Sequence, residues 1–102
     1  MLAAYGRLSN TGPTAVDIVD FTSDGFDEIS LHETTIENGI SRMKRVPAWT
    51  LEPGSELLLE PGGRHLMLVG PLRQLGPGDE IQLTIYTSSG AEYRFVVPVV
   101  LP

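Results

Sequence analysis

Leu31-His32-Glu33-Thr34-Thr35-Ile36-Glu37-Asn38-Gly39-Ile40-Ser41-Arg42-Met43 is the stretch whose reading decides the fold. Asn38-Gly39 is a strong hairpin signal, because a type I′ turn needs positive φ at both central residues and Asn-Gly supplies it. A two-residue loop there sets Glu37 opposite Ile40 and, counting back, Thr34 opposite Met43. His32 lies two residues from Thr34, so it shares that face with Thr34 and Met43. Diagonal neighbours of this kind lie roughly 7–8 Å apart, within reach of long side chains. A three-residue loop would send His32 and Met43 to opposite faces, so their meeting depends on register.

Outward from this hairpin the chain reads as short strands between tight turns. Asn10-Thr11-Gly12-Pro13, Ser23-Asp24-Gly25, Pro53-Gly54, Pro61-Gly62-Gly63, Pro77-Gly78-Asp79 and Ser88-Ser89-Gly90 are the other turn signals. Residues 15–21, 28–36, 40–46, 56–60, 65–69, 80–87 and 92–99 carry strand chemistry. Ile81, Leu83 and Ile85 alternate with Gln82, Thr84 and Tyr86, the period of a half-buried strand. No window sustains helical apolar spacing over a useful length. With 102 residues the chain makes a single domain over its whole length. The expected class is all-β, a sandwich or small barrel. After Pro61-Gly62-Gly63, a strand would turn Leu66 and Leu68 to the core and aim His65 and Met67 the other way. Ile29 and Leu31 likewise fall opposite to His32.

Composition removes several function classes. Seven Lys+Arg against thirteen Asp+Glu give a net charge of −6, so there is no basic stripe for nucleic acid. No apolar run approaches the roughly 20 residues that cross a bilayer, and membrane insertion is not expected. The first residues lack the form of a secretory leader; alone this reads as cytoplasmic, though Met1 need not be the native start. Absence of Cys excludes disulfides, thiolate zinc sites, iron–sulfur clusters and blue copper.

What is left is two His and, apart from Met1, two Met. Taken singly they are bland: a lone Met in a β domain is ordinarily core filler, and a lone His a surface or hydrogen-bonded residue. Taken together they are a ligand set. Thioether sulfur is soft, suits Cu(I) and binds Mg²⁺ or Ca²⁺ poorly, and Zn²⁺ prefers thiolate, imidazole or carboxylate. Two imidazoles with two thioethers therefore point to Cu(I).

Ten residues separate His32 from Met43, twenty-one separate Met43 from His65, and one separates His65 from Met67. The pattern resembles the hallmark of the periplasmic copper chaperones called PCuAC, His-x₁₀-Met-x₂₁-His-x-Met. The flanking text is similar too: Leu31-His32-Glu33-Thr34, Gly39-Ile40-Ser41-Arg42-Met43 and Leu59-Glu60-Pro61-Gly62-Gly63-Arg64-His65-Leu66-Met67-Leu68. Ala3-Ala4-Tyr5, Asn10-Thr11-Gly12 and Val96-Val97-Pro98-Val99 extend the likeness over nearly the whole chain.

The resemblance implies a cupredoxin-like Greek-key β-sandwich or barrel with His32, Met43, His65 and Met67 as metal ligands. It implies one Cu(I) ion per chain, a monomer, and a periplasmic location with the signal peptide absent from this chain. It also implies a metallochaperone, not an enzyme, that delivers copper toward the dinuclear centre of cytochrome c oxidase. The partners would be subunit II of that oxidase, a Sco-type protein, or both. Relatives carry a further β segment ahead of Ala3-Ala4-Tyr5, so either an N-terminal strand is missing or this is a shortened member. The His/Met-rich tail of some relatives is not present, which implies a single site. Neutral thioethers hold Cu(I) less tightly than thiolates, as suits a carrier that yields its ion to cysteine ligands. An exposed site, with both Met sulfurs accessible, would let the acceptor enter before the donor leaves.

Two other classes compete. A metal-free β-sandwich interaction module would bind no Cu(I) under reducing conditions. A copper oxidase or metal-dependent hydrolase has little to draw on: no third His, no Ser/His/Asp set and no carboxylate dyad beside the ligands. Trp49 is expected in a loop, where it either shields the metal or caps the core. Glu33 alternates away from His32 and is not a ligand. Arg42, Lys44, Arg45 and Arg64 cluster along the sequence near the ligands and read either as a positive rim for an acidic acceptor or as ordinary solvated charge.

Overall fold

The structure is a computed structural model that describes residues 2–101. Every helix or strand among them is a strand: β1 Leu2–Ala4, β2 Gly6–Ser9, β3 Val16–Ser23, β4 Phe26–Glu37, β5 Ile40–Arg45, β6 Trp49–Leu51, β7 Glu56–Leu59, β8 Arg64–Pro71, β9 Glu80–Thr87 and β10 Glu92–Pro98. One sheet runs β2-β7-β8-β4-β5 with β1 also on β8, and the other runs β10-β9-β3-β6. The two sheets enclose one core, as expected for an all-β sandwich.

Alternation explains how these residues choose their faces. On β9, Ile81, Leu83 and Ile85 are buried, while Glu80 and Gln82 are exposed. On β8, Leu66 and Leu68 are wholly buried. Ile29 and Leu31 of β4 sit opposite Leu68 and Leu66 in the same sheet and join the same cluster. Burying each such aliphatic side chain is worth about 1.5–3 kcal/mol, which holds the strand register to within a residue.

Two turns place the segments that matter. Asn38 at φ 51° and Gly39 at φ 77° form the expected two-residue loop, with Glu37 opposite Ile40. At the other, Gly63 N–H donates to the Glu60 carbonyl at 3.1 Å, with Pro61 and Gly62 between them and Gly62 at φ 78°. Pro followed by a positive-φ Gly is the pattern of a type II turn, and it launches β8 directly into His65.

Three strands fall outside the expected segments. β1 and β2 are consecutive but choose different partners, β8 and β7, with Tyr5 between them. β6 begins at Trp49, which the sequence places in a loop; it pairs through Ile18↔Trp49 with β3 and packs against the core. The core-capping alternative for Trp49 is the one the structure takes.

Candidate metal centre

The four singled-out residues lie on three adjacent strands, β5, β4 and β8, and on one face. Across the sheet, His32 sits directly opposite His65 on one side and Arg45 on the other. One row toward the hairpin tip, Thr34 is opposite Met43; one row the other way, Ser30 is opposite Met67. The two thioethers therefore flank the pair of imidazoles at diagonal positions on opposite sides. The rings stack with centroids 6.1 Å apart and planes inclined by 26°. The strands' other face carries Leu31, Leu66 and Leu68, so the centre stands on the back of the core.

Exposure is graded across the site. His65 is buried at 6% and His32 and Met67 are half-buried, whereas Met43 on the edge strand is 49% exposed. Met43 is thus the more open of the two thioether side chains and Met67 the more enclosed. Among the described residues, no three His, Cys, Asp or Glu side chains gather into a metal-binding group. The soft donors on this face beside the two imidazoles are the thioethers of Met43 and Met67.

The electrostatics favour neutral imidazole at His32. Burial holds its pKa below the ordinary 6.5, and the charges of His65 and Arg45 push it the same way against a smaller pull from Glu28. Neutral imidazole is the form that ligates. The ring is also held locally: the Ser30 hydroxyl lies 2.8 Å from Nε2 of His32. Ser30 is a buried polar residue that the sequence reading passed over. Its signal was there, since Ser30-x-His32 has the same one-face spacing as His65-x-Met67.

The suggested basic rim does not form as a unit. Of its four members only Arg45 shares the face of His32. Lys44 is opposite Glu33 and Arg42 opposite Thr35, on the other face. Arg64 also points to that side, where its guanidinium lies 4.3 Å over the Trp49 ring and 3.7 Å from Glu33. Its Nε is buried without a hydrogen-bond partner, so Arg64 belongs to the end of the core. Glu33, turned toward Arg64, is no ligand neighbour of His32.

Comparison with known proteins agrees with this architecture. Residues 1–99 match the family described as "Putative lipoprotein LpqE-like". The chain is 37% identical over 100 residues to "Putative lipoprotein Lxx21020" of Leifsonia xyli subsp. xyli (strain CTCB07), covering 97% of this chain and 60% of that protein. It is 34% identical over 85 residues to protein RP573 of Rickettsia prowazekii (strain Madrid E), covering 82% of this chain and 47% of the relative. The chain thus spans only about half to three-fifths of these relatives. Among solved structures, the copper-bound PCuAC domain from PmoF2 superposes with a TM-score of 0.72 at 21% identity, covering 98% of this chain and 78% of that one. The solution structure of CuI-DR1885 from Deinococcus radiodurans gives 0.69 at 29% identity, covering 92% and 63%. The fold is therefore the cupredoxin-like one of PCuAC domains.

Proposed function

We propose that this chain, which belongs to the LpqE-like family and is of PCuAC type, is a copper-binding metallochaperone that carries Cu(I) on His32, Met43, His65 and Met67. The observation that carries the reading is the register of β5, β4 and β8. It brings both imidazoles and both internal thioethers to one face, although they come from sequence positions up to 35 residues apart. The chemistry fits: two neutral nitrogens and two soft sulfurs suit Cu(I), and no thiolate is present to trap it. The similar PmoF2 domain is copper-bound and the similar DR1885 structure is of its Cu(I) form, which supports the same cargo.

One ion per chain follows from one such constellation. Delivery fits the graded exposure: a cysteine-bearing acceptor can displace the open Met43 first while buried His65 keeps its hold. Subunit II of cytochrome c oxidase, or a Sco-type protein, is the acceptor this reading favours. The lipoprotein relative supports a place in the cell envelope, with the periplasm as the working compartment. Copper transfer needs no turnover chemistry, so the role is that of a carrier and not an enzyme.

The test is a Cu(I) competition titration under reducing conditions, paired with X-ray absorption at the copper edge. One equivalent bound, with both nitrogen and sulfur scatterers, is the expected outcome. No Cu(I) binding, or a spectrum without sulfur, would remove the proposal.

A further inference from the structure

The ligand face of β4 holds one hydrogen bond that the copper reading leaves unused, from Ser30 to Nε2 of His32 at 2.8 Å. Both residues belong to the same strand and the same face, so the contact is built into the extended backbone. Ser30 is 7% exposed, which keeps water from competing for its hydroxyl. Its cross-strand partner is Met67. Nε2 of His32 therefore points into the row that carries one of the thioethers. An ion shared between that sulfur and His32 would meet the imidazole at this nitrogen, where the hydroxyl now sits.

An imidazole nitrogen has a single lone pair in the ring plane. While it accepts the Ser30 O–H it cannot donate to a soft metal, and a protonated Nε2 donating to Ser30 is equally blocked. We infer that Ser30 is a positioning residue of the copper site: its hydroxyl occupies the ligating nitrogen of His32 in the copper-free protein and is displaced when Cu(I) binds. Ser30 then works in both directions. It holds the ring in place beside His65, and it recaptures Nε2 as the ion leaves, lowering affinity and easing release to an acceptor. This rests on the four-ligand reading above.

Ser30→Ala is the direct test, with Ser30→Thr restoring a hydroxyl on a side chain suited to a strand. Removing the competing bond should tighten Cu(I) binding about 2–10-fold, the net worth of one neutral hydrogen bond. It should also slow ion transfer to a chelator by a comparable factor. Ser30→Thr should return both values toward those of the unaltered chain. The ring nitrogen ¹⁵N resonances of copper-free His32 should lose the signature of a hydrogen-bonded Nε2 in Ser30→Ala only. Weaker binding in Ser30→Ala would mean that the hydroxyl orients His32 to ligate through Nδ1, which overturns the inference, as would unchanged binding. If the unaltered chain binds no Cu(I), the copper reading itself falls. If it binds and Ser30→Ala does not tighten, only the role of Ser30 falls.

Discussion

Leu66→Ala and Met67→Leu alter neighbouring positions on β8, and the alternation of that strand predicts opposite consequences. Leu66 is wholly buried between the sheets, so truncation removes its burial and leaves a cavity, at a cost of about 2.7–5 kcal/mol. Unfolding entropy is about 2.1 cal/mol/K per residue, so in a domain of 102 residues each kcal/mol lowers Tm by about 5 °C. Leu66→Ala should therefore melt about 13–23 °C lower. Its copper affinity, measured well below that melt, should stay near the original. Met67→Leu conserves volume at a half-buried position and should cost under about 1.5 kcal/mol, or about 7 °C. On the proposed four-ligand site it deletes a sulfur donor, so Cu(I) affinity should drop by at least the about 10–100-fold that loss of an outer-shell partner costs. Calorimetric melts of the copper-free proteins and a Cu(I) competition titration read the two effects separately. Equal losses of Tm would refute the assignment of faces. A folded Met67→Leu with unaltered affinity would refute thioether ligation at that position.

Met43→Leu should separate binding from stability more cleanly, because Met43 is half exposed on an edge strand: Tm within about 2 °C, with Cu(I) affinity reduced at least as far as in Met67→Leu. The copper-free protein should also be acid-sensitive through His32. Its folded pKa lies below 6.5, chiefly through burial and then through His65 and Arg45, so on acidification the unfolded chain takes up the proton first. The contribution is complete above about pH 6.5 and is lost as pH falls through the folded value. Relative to His32→Gln, the Tm of the unaltered chain should decline between about pH 7 and pH 5, and a constant difference would contradict the sign.

Much of this organisation was legible in local sequence, for a physical reason. Period-two alternation assigns a face without any knowledge of neighbours, so Leu66 and Leu68 separate from His65 and Met67 on inspection. Asn38-Gly39 adds a register, because its loop length pins β4 to β5 and puts Met43 across from Thr34. The direct opposition of His32 and His65 is of another kind. It depends on which row of β8 meets which row of β4, a non-local pairing set by the packing of Ile29 and Leu31 with Leu66 and Leu68. The short strands β1, β2 and β6 escaped because three or four residues hold too few alternations to stand out, and only their partners make them strands. The basic rim failed because nearness along a strand is the opposite of nearness in space: Arg42 and Lys44 bracket Met43 in sequence and therefore face away from it.

Every residue from Thr35 to Arg45 is exposed, so the β4–β5 hairpin is a ribbon that leaves the body of the domain. Past the row of Thr34 and Met43 it carries none of the four candidate ligands, and what that tip must preserve is parity. Adding one residue to each arm would keep Met43 across from Thr34, whereas adding a single residue would turn it to the far side. Length at the tip can therefore change in steps of two, and a foreign recognition loop could be grafted there without turning Met43 off the face of His32. The interval of ten between His32 and Met43 then records the length of a ribbon.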